Sequence, residues 1–326
     1  MLEKKNVSSA DIARPTLQVV IVNWRSGGML RVCLDSIYAS RADNHVLKKI
    51  TIVDNDSSDE SIDDVVNAEI PTEIIRPGGN IGFGRGCNLG SIQSDSDMIL
   101  FLNPDTRVGE ESLDEAVWGF TNFDNGELAV LGVQLNNIHG QVGRTCSRLP
   151  TTASMLWRSL GLSRIIPAVF RAQYMLDWDH AETRCVEQVM GAFFMVRRGV
   201  FEALGCFDER YFVYFEEVDY CRKASDRGYD VVYLASTSIT HQGGGASQRV
   251  RSTRLFYSLR SRLQYFNKHH SRLSYWVVVS STALIEPWAR CLHSLAKGRF
   301  TELPEIFSAF KRLYGCILMN TGWVDE

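Results

Sequence analysis

Residues 17–24 read LQVVIVNW and residues 50–59 read ITIVDNDSSD. Each opens on a short apolar run rich in β-branched side chains and closes on polar residues. Runs of that length and composition suit strands buried on both faces, as in a parallel sheet. Between them, residues 29–39 (MLRVCLDSIYA) place Leu30, Cys33, Leu34 and Ile37 on one helical face, so the segment reads as a β-α-β unit. The pattern continues with a helix over 61–66, a strand over 73–76, a helix over 87–93 behind a glycine-rich loop, and a strand over 98–102. Strands alternating with helices predict a doubly wound, Rossmann-like half that ends near Asn103.

Further on the alternation weakens. Strands are expected over 129–135, 189–196 and 231–234 and helices over 113–120 and 217–227, a mixed α+β pattern. The run from Gly243 to Gly245 breaks the chain, and helical periodicity follows. The division expected is a flexible polar N-terminus over 1–14, an α/β body over 15–245 and a basic helical segment over 246–326.

With 326 residues, 45% hydrophobic and 22% charged, the chain can bury a substantial core. Its eight cysteines show no two-to-four-residue spacing of the kind zinc ribbons and redox pairs use, and read as reduced core fillers. The first 14 residues lack the apolar stretch of a secretory signal, so a cytoplasmic location is expected. The net charge of −3 hides an asymmetry: residues 246–326 hold 12 Lys and Arg against 5 Asp and Glu. Arg249, Arg251, Arg254, Arg260, Arg262, Lys268 and Arg272 follow one another with no acid between. Two readings stand side by side, a solvated helix face and contact by residues 246–290 with an anionic membrane surface at the inner face of the cell membrane. Nucleic acid is not expected, because Phe256, Tyr257, Tyr265 and Phe266 fall at helical spacing and read as a buried stripe. Residues 275–285 are strongly apolar but too short to span a bilayer.

In an open parallel sheet, ligands bind beyond the carboxyl ends of the strands. There the chain offers Asn23, then Asp54 with Ser57 to Asp59, then the loop from Gly78 to Gly86, then Asn103-Pro104-Asp105. Asp54 is the candidate for base recognition, with the Ser57 to Asp59 loop for ribose hydroxyls. The loop holds five glycines in nine residues ahead of a helix whose first amides could face phosphate. Asp105 is the candidate ligand for Mg²⁺ or Mn²⁺, ions that use one or two carboxylates and complete their shells with diphosphate oxygens and water. Glu216 and Glu217 sit in an aromatic setting, where a carboxylate rises toward the range of a general base. His241, ahead of the glycine run, could complete a metal shell or contact phosphate.

Together these residues resemble glycosyltransferase family 2, in the branch with rhamnosyltransferases and their relatives in bacterial cell-surface polysaccharide synthesis. The resemblance spans about 17–247. It rests on VIVNW (20–24), VDNDSSD (53–59), NIGFG (80–84) with Asn88, LNPD (102–105), GAFFM (191–195), FDE (207–209) and YFEEVD (214–219). It implies a GT-A fold with a mixed central sheet, a nucleotide diphosphate sugar donor, a divalent ion and inversion at the anomeric carbon. It also implies a glycan or lipid-linked glycan as acceptor. Donor contacts would fall on Val22, Asn23, Asp54, Ser57, Asp59, Asn80, Gly82, Phe83, Asn88 and Asn103, and acceptor contacts on Gly191 and Phe193. Asp105 and His241 would hold the metal, with Asn103 in place of the first acid of an Asp-X-Asp site. Glu217 stands where the family has its base, usually Asp, and Glu216 and Asp219 remain alternatives. The branch suggests dTDP-rhamnose as donor. Rival readings are a sugar nucleotidyltransferase, whose N-terminal glycine-rich basic loop is absent here, and a non-catalytic carbohydrate or lipid-carrier binding module.

Overall fold

The computed structural model describes residues 14–62, 70–123, 126–162, 173–243 and 250–319. The first half is built as its apolar runs predict. Strand β1 (Thr16–Asn23) leads to helix α1 (Gly28–Tyr38) and strand β2 (Val46–Asp54), then to β3 (Thr72–Ile75), α2 (Phe83–Ser91) and β4 (Met98–Leu102). These four strands are parallel, in the order β3-β2-β1-β4. Alternate residues of β1 face opposite ways, as strand geometry requires. Leu17, Val19 and Ile21 join the α1 side, where Leu30, Cys33, Leu34 and Ile37 are fully buried, and Val20 and Val22 join the α2 side. Each large apolar side chain so buried contributes about 1.5–3 kcal/mol.

The rest of the sheet is mixed. It comprises β5 (Thr106–Val108), β6 (Leu128–Asn136), β7 (Arg184–Cys185), β8 (Phe193–Arg197) and β9 (Asp230–His241). Strand β8 runs antiparallel beside β4, giving the order β3-β2-β1-β4-β8-β6-β9-β5, with β7 on β9. Helices α3 (Ser112–Phe123), α4 (Thr152–Ser159), α5 (Arg198–Ala203) and α6 (Glu216–Asp226) complete this part. The chain ends in helices α7 (Arg251–His269), α8 (Arg272–Ser280), α9 (Glu286–Ala296) and α10 (Leu303–Met319). Their core of Leu259, Leu263, Phe266, Val278, Phe310 and Leu313 also takes in Tyr211, Phe215 and Val218, so they pack directly on the segment that carries Glu216 and Glu217.

Four expectations change. Helix α2 begins at Phe83, inside the glycine-rich segment rather than at Cys87, because its glycines serve packing: a Cβ on Gly86 would stand 3.0 Å from Val22 and one on Gly90 2.5 Å from Val20. Strand β9 runs to His241, well past Leu234, because its polar second half is paired by β5 and β6. Strand β8 starts at Phe193 rather than Val189. Of the helix expected over 61–66, only a 3₁₀ turn at Glu60–Ile62 lies within the described residues.

The basic run also turns inward. Arg260 and Arg262 are buried, and Arg262 donates to Glu286 at 2.8 Å inside the helical bundle. Lys268 reaches Asp208 and Asp219 at 2.6 and 2.7 Å. All eight cysteines are free thiols. Among the described residues, no helix is long and apolar enough to cross a membrane.

Candidate active site

The carboxyl ends of β1 and β2 lie side by side, with Asn23 paired in register with Asp54. Asn23 is fully buried: its amide donates to Ser57 Oγ and Ser61 Oγ at 3.0 and 2.9 Å, and its carbonyl oxygen accepts from Ser26 Oγ. It braces the loop rather than presenting groups to a ligand, which corrects the expectation of direct donor contact. Asp59 accepts from the Gly27 amide at 2.9 Å and ties down the turn into α1. Asp54 is almost buried at the loop's inner edge, with one oxygen 3.3 Å from the Ser57 amide and the other 3.9 Å from Arg76 Nε. Among the described residues that second oxygen meets no closer donor.

The glycine-rich segment crosses above these strand ends. Asn55, which sequence reasoning did not single out, clamps it by donating to Gly82 O at 3.0 Å and accepting from Ile81 N at 2.9 Å. Asn80 accepts from the Gly82 amide. The Phe83 amide donates to Phe212 O at 2.7 Å, so this helix start is already engaged. Gly82 sits at φ +87°, and a Cβ there would stand 2.3 Å from Phe212 O, so only glycine fits. Asn88 exchanges hydrogen bonds with the backbone of Phe207 and reaches Glu209, fastening α2 to the next segment. Val22 packs into the core beneath Gly86. Neither offers its side chain to a donor.

Beyond β4, Asn103 is fixed by its amide to Ala192 O at 3.0 Å, and its own carbonyl accepts from Thr106 Oγ1 at 2.7 Å. The turn delivers Asp105 to the start of β5, whose register with β9 pairs Thr106 with His241. Asp105 Oδ1 and His241 Nε2 therefore stand 3.3 Å apart, both nearly buried. Neighbouring donors around one ion at bonds of about 2.1 Å lie about 3 Å apart, so a carboxylate and an imidazole so placed fit a divalent cation. No group of three or more His, Cys, Asp or Glu side chains with that capacity occurs among the described residues, which leaves further positions to substrate oxygens and water.

Helix α6 brings the paired carboxylates to the same place. The two residues before it, Tyr214 and Phe215, have φ of +67° and +74°, left-handed values that cost aromatic residues about 1–3 kcal/mol each. Packing holds them there: Phe215 lies 5.5 Å from the Tyr265 ring of α7, and the neighbouring Phe212 stacks on Tyr257 at 4.5 Å. This double kink, invisible to periodicity, aims the helix start into the site. Glu216 turns toward α2, its Cβ 3.2 Å from where Gly84 would carry one, while a Cβ on Gly191 would stand 3.8 Å from the Glu217 side chain. Each glutamate keeps one buried carboxylate oxygen without a hydrogen-bond partner among the described residues. Burial raises Glu216 well above the ordinary carboxylate range, and the neighbouring charge of Glu217 adds to this. Burial raises Glu217 as well, opposed in part by backbone N–H groups at the helix start.

Asp219 has a different setting. It is fully buried and accepts from Tyr211 Oη at 3.1 Å and Lys268 Nζ at 2.7 Å, with His269 Nε2 at 2.6 Å. Burial pushes its carboxyl upward, but the bonds from His269 and Lys268 outweigh that and hold it below the usual range. That is a structural ion cluster, and it corrects the alternative of Asp219 as base. Phe193 is corrected likewise: its ring is in the core on the α1 side, so only the backbone near it borders the site. Gly191, by contrast, lies at the Glu217 side chain. The two halves meet through one short path, since Asn103 bonds Ala192 and the adjoining Gly191 faces the Glu217 side chain.

The comparisons with known proteins bear on the family and the fold. The chain is 25% identical over 307 residues to the low-salt glycan biosynthesis hexosyltransferase Agl10 of Haloferax volcanii, covering 90% of this chain and 89% of that one. It is 25% identical over 271 residues to the N-acetylglucosaminyl-diphospho-decaprenol L-rhamnosyltransferase of Mycobacterium tuberculosis, covering 78% and 85%. Among solved structures it resembles the mannosyltransferase PcManGT of Pyrobaculum calidifontis in complex with GDP-Man and Mn²⁺, with a TM-score of 0.53, 13% identity and coverage of 97% and 82%. The fold is GT-A. The profile of glycosyltransferase like family 2 matches residues 15–265, and the chain belongs to that family, in its rhamnosyltransferase-like branch.

Proposed function

We propose that this glycosyltransferase moves a sugar from a nucleotide diphosphate sugar to a hydroxyl of a lipid-linked glycan, with inversion, using Glu217 as base and a divalent ion at Asp105 and His241. The observation that carries the proposal is the short path just described. Gly191 faces the Glu217 side chain, while the adjoining Ala192 carbonyl holds the turn that leads to Asp105. The mycobacterial relative, whose name specifies rhamnosyl transfer to a diphospho-polyprenol acceptor, supports dTDP-rhamnose as donor and a lipid carrier on the acceptor. The archaeal mannosyltransferase, solved with Mn²⁺, supports Mn²⁺ or Mg²⁺.

The residues divide the work. Asp54 meets the nucleotide base, and the loop braced by Asn23, Asn55 and Asp59 holds the ribose and diphosphate side. Asp105 and His241 hold the ion, which when bound neutralises charge on the departing diphosphate. Burial raises both carboxyls, and we assign the base to Glu217, which lies toward Gly191. Glu217 then takes the acceptor's hydroxyl proton as that oxygen attacks the anomeric carbon from the face opposite the leaving group. Its raised pKa makes it a stronger base and predicts activity that climbs with pH through the titration of the pair.

The test is transfer from dTDP-rhamnose or a UDP-hexose, with Mn²⁺, onto an N-acetylglucosaminyl-diphospholipid, with the product's anomeric configuration read by NMR. A linkage opposite in configuration to the donor is expected. Retention of configuration, or transfer unchanged in excess chelator, overturns the corresponding part of the mechanism.

A further inference from the structure

Helix α8, a π-helical stretch (Ser281–Ile285) and α9 run as one unbroken helical rod, about 37 Å long at 1.5 Å per residue. Its outer side carries Leu273, Trp276, Leu284, Trp288, Leu292 and Leu295, which are 76, 49, 68, 67, 67 and 43% exposed. With the exposed Ser280 between Trp276 and Leu284, their spacing is three or four residues throughout, so they form one stripe. A specific contact supports the rod at Pro287. Proline supplies no N–H to the carbonyl four residues back, and Tyr314 Oη from α10 donates to that carbonyl, Ala283 O, at 2.7 Å. The bond also sets the exposed face of α10, with Phe307, Lys311, Tyr314 and Leu318 at heptad-like spacing, beside the stripe at Leu284.

The exposed charge of the helical part is mostly basic, with Arg251 and Arg299 lying 4.0 and 3.5 Å from Glu302. Between residues 250 and 319 the exposed charged side chains are Arg251, Arg254, Arg272, Lys297, Arg299, Lys311 and Arg312, while Glu286, Glu302 and Glu305 are buried or half-buried. Arg272 and Lys297 stand at the two ends of the stripe. A soluble surface rarely leaves so long an apolar strip uncovered. A two-fold copy of the same face would set cations against cations, whereas an anionic bilayer meets both the apolar stripe and its basic rim.

The geometry points to a lipid-docking surface: the rod lies flat in the headgroup layer of an anionic membrane, its leucines and tryptophans in the acyl boundary and its cations on lipid phosphates. Docking would fix the site's height above the bilayer, because Lys268 of α7 is bonded to Asp219, two residues after Glu217. The inference does not depend on the donor, the acceptor or the base.

Sedimentation of the full chain with vesicles of equimolar phosphatidylcholine and phosphatidylglycerol, against phosphatidylcholine alone, tests it. The protein should pellet with the anionic vesicles and release as salt rises to about 1 M, where the Debye length falls to about 3 Å. Trp288→Glu and Leu292→Glu, both at solvent-facing positions, should each lower partitioning at least about tenfold while leaving the melting temperature and transfer to a soluble acceptor unchanged. Pelleting as strong for Trp288→Glu as for the native chain would overturn the proposal. So would a lipid-free dimer, seen by light scattering, that Trp288→Glu dissociates, because the stripe would then belong to a second copy.

Discussion

Lys268→Met removes the cation that joins the helical C-terminal part to the α6 segment. Lys268 Nζ lies 2.6 Å from Asp208 Oδ2 and 2.7 Å from Asp219 Oδ1, and Asp219 has no exposed surface. Burial works to raise Asp208, but bonds from Lys268 and Arg210 overcome it and pull it down to about 2. Against an unfolded value of about 3.9, that shift corresponds to about 2–3 kcal/mol of stability near neutrality, shared between the two cations. The fully buried Asp219 keeps His269 and Tyr211 but loses its nearest lysine, so the substitution should cost about 2–4 kcal/mol in total. That is a large share of the 5–15 kcal/mol typical of folded proteins. The pH dependence follows from the sign. In the native chain both carboxylates are depressed, so their stabilisation is full above about pH 4 and is lost as pH falls through their folded values. In the variant both rise, so protonation on acidification relieves the native state. The deficit should be widest at pH 7 and narrow toward pH 4. Urea unfolding of both proteins across that range measures it. A loss under 1 kcal/mol at pH 7, or a deficit constant with pH, refutes the reasoning.

Three further outcomes are expected. Asp105→Ala should abolish stimulation by Mn²⁺, and His241→Ala should raise the Mn²⁺ concentration needed for half-maximal activity, measured by titration after chelation. Gly82→Ala should destabilise by more than about 3 kcal/mol, combining left-handed strain with collision at the Phe212 carbonyl, whereas Gly78→Ala, with open space around it, should lose only about 1–2 kcal/mol by thermal melting. Arg262→Met and Glu286→Leu should each cost about 3–5 kcal/mol alone yet nearly cancel together, as a double-mutant cycle would show.

The parallel half of the fold was legible because its strands are buried on both faces, which writes continuous apolar runs such as residues 17–22 and 98–102. The second half was less so. Strand β9 ends in STSITH, where Thr237 and Ile239 are buried but the polar composition hides their alternation. Glycines 84, 86 and 90 hid the start of α2, because a glycine that lets a helix approach a strand looks in sequence like one that frees a loop. The same limit affected the site. Asp105, His241, Glu216 and Glu217 could be named from residue chemistry and motif order. That Asn23, Asn88 and Asp219 spend their polar groups inside the protein follows from partners 34 to 119 residues distant, which no local pattern contains. The basic run over 249–272 was misleading for that reason: a buried arginine paired with Glu286 reads like a surface one.

The division of roles between the paired carboxylates is tested most directly by comparing Glu217→Gln with Glu216→Gln in single-turnover transfer, with donor affinity measured alongside. Glu217→Gln should bind donor as the native enzyme does and transfer at least about a hundredfold more slowly, losing the rise of rate with pH, while Glu216→Gln should lose much less activity and keep that rise. Native-rate transfer by Glu217→Gln, or a larger loss in Glu216→Gln, would contradict the account.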